Sequence, residues 1–137
     1  MIGTGSRKLA SDINNISVSG RLTKAPAYAM SAGGLPYVRL TIACNEDVYS
    51  PQSRKWEPTA TFFDCVAFSD LAEEINSKRL TTGTKMMLTG HMRMEPRMVP
   101  GTDIIYKYPT IIISAFDASE PRPQPWKASI WRNKTDL

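Results

Sequence analysis

The segment spanning residues 37–45, YVRLTIACN, alternates between two kinds of side chain. Val38, Leu40, Ile42 and Cys44 are apolar, and the residues between them are mostly polar or aromatic. A period of two places alternate side chains on opposite faces of a β-strand. Because a shift of one residue would exchange the faces, the pattern predicts a strand with one face in a core and fixes which face that is.

Four other segments show strand-like patterns, at about residues 15–22, 59–68, 85–94 and 106–116. In the first of them, Gly20 allows a bend or bulge. A short helix is predicted over residues 69–78, with Ser69 as its cap, acids in its first turn and Gly83 breaking the chain after it. The polar segment 46–58 and the Pro- and Gly-containing segment 95–105 are interpreted as loops.

A single helix after the third of five strands is the arrangement of an OB barrel, whereas a ferredoxin-like sandwich distributes its helices differently. The sequence therefore predicts an all-β, five-stranded Greek-key OB barrel over residues 13–117. Residues 1–12 are expected to form a mobile arm. The composition changes at residue 118 to a Pro-rich basic stretch, so residues 118–137 are expected to be a flexible, disordered tail.

The charge balance favours a polyanionic partner. The 137 residues include 17 Lys and Arg against 13 Asp and Glu, a net charge of +4. An ordinary solvated surface explains such a modest surplus equally well. The two cysteines lie in strand-like runs, which suits free thiols in a reducing compartment. No apolar stretch reaches the roughly 18 residues of a membrane span, and the N-terminus has no apolar segment typical of a secretory signal. We therefore expect a soluble cytoplasmic, nucleoid-associated protein without a membrane span.

Catalytic patterns are missing from the sequence. His91 is its one histidine and is predicted on the polar face of a strand. Cys44 and Cys65 have no partners at metal-ligand spacing, and the chain has neither a phosphate-binding Gly loop nor a nucleophile elbow. We therefore predict a binding protein with no catalytic residue, metal or cofactor.

Aromatic and basic residues occur together in several segments. A single strand of nucleic acid binds through cations that meet phosphates and exposed rings on which bases stack. Phe62 and Phe68 share one face of the third predicted strand and Phe63 shares the other with Cys65, and the pattern alone does not decide which face fills the barrel. Trp56, in a polar segment, is the strongest sign that some rings serve binding.

Four segments resemble the bacterial single-stranded DNA-binding protein family with its phage and plasmid members: NNISVSGRLTKAPAY, LPYVRLTIACNE, TFFDCVAFSDLAEEI and TGTKMMLTGHMR. The resemblance implies an OB fold, a homo-oligomer (tetramer or dimer) and sequence-tolerant binding of single strands. It also implies that Phe62 and Phe68 stack on bases while Phe63 and Cys65 belong to the core.

The chain departs from that family at several positions. Val48, with Tyr49 beside it, stands where a Trp is common, and Arg97 replaces a second aromatic residue. Asp64 occupies a binding-face position that is basic in some members. The tail is basic, contains Trp126 and Trp131, and lacks the acidic, Phe-terminated peptide of cellular members, which favours a specialised phage- or plasmid-type protein.

The leading hypothesis is non-specific binding of single-stranded DNA in replication, recombination or transfer, with replication or recombination proteins as further partners. The alternatives are an OB adaptor that binds mainly protein, as in primosomes, and a binder of single-stranded RNA. The predicted binding residues are basic or aromatic: Arg21, Lys24, Arg39, Tyr49, Arg54, Lys55, Trp56, Phe62, Phe68, Lys85, His91, Arg93, Arg97, Tyr106 and Lys107.

Overall fold

The structure is a computed structural model and describes residues 12–119. The predicted arm (1–12) and tail (118–137) lie almost entirely outside the described residues. In chain order the elements are β1 (Ile16–Leu22), β2 (Ala27–Met30), β3 (Pro36–Ser50), β4 (Lys55–Phe68), α1 (Ser69–Ser77), β5 (Lys85–Met98) and β6 (Ile105–Ala118).

Five of the strands close into a barrel. They neighbour one another in the order β1-β5-β6-β4-β3, and a short antiparallel pairing of β1 with β3 closes the ring. Strands β4 and β6 run parallel, and the other pairs are antiparallel. The short β2 adds to the edge of β3. The predicted OB barrel with one helix after its third barrel strand is confirmed, and β2 is an element that the sequence pattern did not predict.

The barrel interior is filled by the apolar faces that the alternation predicts. Val38, Leu40 and Ile42 of β3 are buried, as are Met86 and Leu88 of β5. Ile111 and Ile113 of β6 join the same core. Removing these side chains from water is the main favourable contribution to folding.

Two glycines sit where strands approach too closely for a side chain. A Cβ at Gly20 would collide with the backbone carbonyl of Ala43, at the point where β1 passes from β5 to β3. A Cβ at Gly90 would collide with the carbonyl of Ile112, beside the register shift between β5 and β6. The predicted break in the chain at Gly83 is confirmed. Gly83 has a φ of +89°, in the left-handed region that favours glycine, and lies near the end of the connection from α1 to β5.

Helix α1 packs on the barrel through Ala72 and Ile75, which are buried. Its predicted cap is wrong: Phe68 occupies the N-cap position, and no side chain bonds to the first turn. Strand β4 runs directly into the helix, so Ser69 makes the change of direction with a φ of 57° instead of capping. Asp70 does supply the predicted acid in the first turn. Tyr28 Oη donates to Glu73 Oε2 at 2.7 Å and ties β2 to the helix.

The two predicted loops are shorter than predicted, because strands extend into both segments. Of residues 46–58 only 51–54 lie outside strands, and of residues 95–105 only 99–104. Strands β3 and β4 remain paired from Tyr37 with Phe68 out to Ser50 with Lys55, and β5 and β6 from Met86 with Ala118 out to Met98 with Ile105. Beyond the barrel each pair is a two-stranded ribbon. The β3–β4 ribbon has no clear apolar alternation, whereas in β5 Met92, Met94 and Met98 alternate with Arg93, Glu95 and Arg97. The prolines and the glycine of segment 95–105 outweighed that signal in the sequence interpretation. Each ribbon strand has one unpaired edge, where Pro is tolerated.

Among residues 12–119 no helix has the length and apolar character needed to cross a bilayer.

Candidate nucleic-acid interface

The two long hairpins contribute to one outer face, made of the side chains that alternate with the core residues. Cross-strand pairs on it include Tyr49 with Trp56, Thr41 with Asp64, and Arg97 with Tyr106. Residues directly opposite in paired strands share a face, so the register itself assigns them to this surface. The outer face includes, besides Asp47 and smaller or apolar residues, Tyr37, Arg39, Thr41, Tyr49, Trp56, Phe62, Asp64, Phe68, His91, Arg93, Glu95, Arg97, Tyr106 and Tyr108.

Exposed rings lie along the β3–β4 hairpin. Trp56 is 69% exposed and Phe62 is 63% exposed, values unusual for such large apolar side chains. Tyr49 meets Trp56 edge to face, with 5.7 Å between ring centroids. Phe63, next in the chain, points the other way and packs against the core. The core placement of Phe63 and Cys65 that the resemblance implies is therefore confirmed.

The β5–β6 hairpin carries a second pair of rings. Tyr106 is exposed, and it contacts Tyr108 edge to face with 6.3 Å between centroids. The guanidinium of Arg97 lies 4.1 Å from the centroid of the Tyr108 ring. This is a cation–π contact in which the cation covers one face of the ring.

An acid stands at the centre of the outer face. Thr41 Oγ1 donates to Asp64 Oδ1 at 2.7 Å, and Arg97 Nη1 lies 3.8 Å from Asp64 Oδ2. A hydrogen bond to the Asp64 carboxylate, aided by its negative charge, raises the pKa of the Tyr108 phenol above its ordinary value of 10.0. Asp64, Thr41, Arg97 and Tyr108 form a joint between the hairpins that we term the central cluster.

A second ion pair joins the hairpins beside the central cluster. Arg39 Nη1 lies 3.4 Å from Glu95 Oε1, and the guanidinium of Arg39 also lies 5.6 Å from the centroid of the Tyr37 ring. A cleft of about 330 Å³ separates the two ion pairs from the connection that follows β1. Its lining brings together Lys24, Arg39, Asp64 and Arg97, so three cations converge on one shallow depression.

The structure unites many of the predicted binding residues and separates others. Lys24, Arg39, Phe62 and Arg97 lie on or beside the central part of the outer face, and Tyr49, Trp56 and Tyr106 lie on it near the ends of the hairpins. Phe68 and His91 lie on it half-buried, and Arg93 lies on it exposed. Arg54 is in the turn between β3 and β4, at a φ of 59°.

Four predicted residues point elsewhere. Lys55 and Lys107 alternate with Trp56 and Tyr106, which places them on the opposite face of each ribbon. Arg21 is half-buried and its Nη1 donates to the carbonyl of Gly83 at 2.9 Å. Lys85 pairs with Arg21 at the far end of β5. The roles of all fifteen residues remain predictions.

Three further side chains of this surface were not among the predicted binding residues: Tyr37, Tyr108 and Glu95. Tyr37 shares its parity with Arg39 in the clearest strand, and that signal was available. Tyr108 lies in the fifth predicted strand, beside Tyr106 and Lys107, whereas Glu95 lies in the segment interpreted as a loop.

The remaining chemistry is sparse. Within residues 12–119 no group of three or more His, Cys, Asp or Glu side chains is arranged to hold a metal ion. Burial, with the nearby Asp64 charge, raises the pKa of the Cys65 thiol to about 12, so this thiol stays protonated at neutral pH.

Several curated relatives of this chain are named single-stranded DNA-binding proteins. The single-stranded DNA-binding protein of Borreliella burgdorferi is 32% identical over 84 residues, 61% of this chain and 54% of that protein. Its counterpart in Fusobacterium nucleatum is 35% identical over 82 residues, 60% of this chain and 52% of that protein. The counterpart in Clostridium perfringens is 31% identical over 107 residues, 77% and 65% of the two chains. The chain thus spans about half the length of the first two relatives.

A solved structure described as a Plasmodium falciparum SSB complex with ssDNA is similar in fold. Its TM-score is 0.64 at 17% identity, and the match covers 79% of this chain and 94% of that one. At this identity the likeness concerns the fold, and it agrees with the closed barrel described above.

The family model described as the single-strand binding protein family matches residues 13–103. This range runs from before β1 to the turn between β5 and β6, so it contains four of the five barrel strands and most of the outer face. The chain belongs to the single-strand binding protein family.

Proposed function

We propose that this protein binds single-stranded DNA without sequence preference, along the outer face of its two hairpins. One observation carries the proposal: Trp56 and Phe62 are large, exposed rings on the same face as Arg39 and Arg97. Burying either ring in the barrel would have been favourable, and the fold leaves both in water. A surface with exposed rings and cations suits a strand whose bases are unpaired.

The mechanism divides between two physical effects. Cations that replace the counterions of phosphates supply affinity that weakens as salt rises. For a single strand, the logarithm of the binding constant falls by about 0.7 per phosphate contact for each tenfold rise in salt. Bases stack on aromatic rings whatever their sequence, at about 1–3 kcal/mol per base. A duplex hides its base faces, so stacking on Trp56 and Phe62 selects for the single strand.

The proposal makes this a binding protein, not an enzyme, that protects or organises strands in replication, recombination or transfer. Family membership supports it, because the relatives in Borreliella and Fusobacterium are both named single-stranded DNA-binding proteins. We propose a cytoplasmic location with the DNA. Replication and recombination proteins are the partners we expect.

The test uses Trp56 as its own reporter. The chain has three tryptophans, at positions 56, 126 and 131. In a variant with Trp126→Phe and Trp131→Phe, all tryptophan fluorescence comes from Trp56. Titration with an oligothymidine is expected to quench it strongly, with weaker binding at higher salt and with little response to a duplex of the same length.

Each control addresses one alternative. An oligouridine that binds as tightly as oligothymidine would favour single-stranded RNA as the ligand. If neither strand quenches Trp56 or binds better than duplex, the proposal is wrong, and the protein-binding OB adaptor becomes the better hypothesis.

We also propose that the chain assembles with copies of itself. Met94, Met98 and Ile105 lie on the face of the β5–β6 ribbon opposite Tyr106, and each is at least half exposed. A run of exposed apolar side chains on a protruding ribbon is typical of a protein–protein contact. The family resemblance supports a second copy as the partner.

A further inference from the structure

The central cluster of the outer face contains an acid on a surface proposed to bind an anion. Asp64 belongs to β4, two residues from Phe62 along the same face. Arg97 pairs across the β5–β6 hairpin with Tyr106, and its guanidinium reaches Asp64. A strand that runs from Phe62 on one hairpin to Tyr106 on the other must therefore pass over the Asp64 carboxylate.

The carboxylate engages groups that a nucleic-acid strand would use. Arg97 lies at this crossing point, and its charge is already opposed by Asp64 at 3.8 Å. The same guanidinium covers a face of the Tyr108 ring, so that face is closed to a base. The Asp64 carboxylate also raises the pKa of the Tyr108 phenol.

The ion pair is accessible enough to open. The Arg97 and Asp64 side chains are 32% and 25% exposed, and their separation of 3.8 Å is long for a charge-assisted contact. Partly exposed pairs of this kind contribute little to stability. A phosphate entering the adjoining cleft would find Lys24 and Arg39 on the other side.

We infer that Asp64 is an affinity-determining residue that competes with the phosphate for Arg97, so that a strand occupies the central cluster only by exchanging with this carboxylate. The inference rests on the proposed function, since it concerns the same surface. Because of Asp64, the strand binds more weakly and dissociates faster than the number of cations on the outer face would predict.

The exchange also affects the salt dependence. When a phosphate takes Arg97 from Asp64, the carboxylate is left without its partner and recruits a cation from solution. That uptake offsets the counterion released from the strand. Without Asp64, contact of Arg97 with a phosphate gives a net release of one counterion.

The experiment compares Asp64→Asn with Glu74→Gln, a substitution that changes the net charge equally on the exposed side of α1, away from the hairpins. Asp64→Asn is expected to bind an oligothymidine about three- to tenfold more tightly than the parent at low salt, and Glu74→Gln less than twofold. The slope of log K against log salt is expected to steepen by about 0.7 in Asp64→Asn alone.

A double-mutant cycle with Arg97→Gln tests whether Asp64 weakens binding through Arg97. In the parent, where Asp64 occupies Arg97, this substitution is expected to weaken binding by less than about threefold. In the Asp64→Asn background Arg97 is free, and its loss is expected to weaken binding by about tenfold. Asp64→Ala, which cannot accept the Thr41 and Tyr108 hydrogen bonds, serves as a second variant, with thermal melting of each protein as the check on folding.

Two results would overturn the inference while leaving the proposed function intact. One is that Asp64→Asn and Asp64→Ala, both folded, bind no more tightly than Glu74→Gln and keep the parent's salt slope. The other is weaker binding in both variants, which would mean that Asp64 positions Arg97 for the phosphate. A failure of the proposed function looks different, because then the parent itself does not prefer single strands to duplex.

Discussion

Phe62 and Phe63 are neighbours in the sequence and have opposite environments. The period of two in β4 places Phe62 on the outer face, 63% exposed, and Phe63 against the core. Under the proposed function, Phe62 would serve binding and Phe63 stability. The same alternation divides β3, where Arg39 lies outside between the buried Val38 and Leu40.

Replacing each phenylalanine by alanine should therefore have different consequences. Phe62→Ala is expected to weaken single-strand binding by about 1–3 kcal/mol through lost stacking and to change the free energy of unfolding by less than about 0.5 kcal/mol. Phe63→Ala is expected to destabilise the fold by about 2–3 kcal/mol, since the side chain is partly buried. Urea unfolding and oligothymidine titration of both variants measure the two effects. Equal loss of affinity in both, after correction for the unfolded fraction, would contradict the assignment of Phe62 to the interface.

The hairpins are the elements that convert a small barrel into an extended surface. Paired strands continue well past the core, so rings at Trp56 and Tyr106 stand away from the barrel on rigid ribbons and not on loops. The two ribbons keep a common outer face only if β5 and β6 hold their register. That register depends on the crossing at Gly90, where the Ile112 carbonyl leaves no room for a Cβ.

Adding one methyl group at Gly90 should consequently destabilise the element. Gly90→Ala is expected to lower the free energy of unfolding by about 1–3 kcal/mol or more, because the obstacle is backbone and cannot rotate away. Gly33→Ala is the matched control: a Cβ there meets nothing within 4 Å, and the expected change is less than about 0.5 kcal/mol. Urea denaturation of the two variants gives both numbers. Equal stability of the two proteins would show that β5 and β6 shift freely at this point.

At the scale of the whole molecule, the two faces of the β5–β6 ribbon differ in character. One carries Arg97, Tyr106 and Tyr108 and belongs to the outer face, while the other carries Met94, Met98 and Ile105 with Lys107 among them. A ribbon with one basic-aromatic face and one largely apolar face is suited to hold a strand on one side and a second protein copy on the other. Assembly would then place several outer faces within reach of one DNA strand, which raises affinity without new contacts.

Sedimentation velocity tests the assembly through two exposed methionines. Met98, 58% exposed, lies on the apolar face of the ribbon, and Met30, 57% exposed, lies on the edge strand β2. Met98→Lys is expected to reduce the sedimentation coefficient toward that of a single chain, because burying a charge in an apolar contact is unfavourable. Met30→Lys should sediment like the parent. If the parent sediments as a monomer at micromolar concentration, the proposed assembly is wrong; if both variants stay assembled, the contact lies elsewhere.

The sequence by itself determined the barrel, because a core leaves a period of two in every strand that borders it. The faces of β3 and β5, the position of the single helix and the break at Gly83 are all local consequences of that pattern or of one backbone conformation. The placement of Phe62 and Phe63 needed the family resemblance, since a run of apolar residues in β4 fits either face.

Only the tertiary structure decided the length of the hairpins and the contacts between them. Segment 46–58 looked like a loop because it has no apolar alternation. Segment 95–105 looked like one because its prolines and glycine outweighed the alternation of Met94 and Met98 with Glu95 and Arg97. The ion pairs of Arg39 with Glu95 and of Asp64 with Arg97 join residues more than thirty positions apart. Such pairs arise from the closure of the barrel, which sets β4 beside β6 and brings the two hairpins together. No local sequence pattern predicts that closure, and the central cluster depends on it.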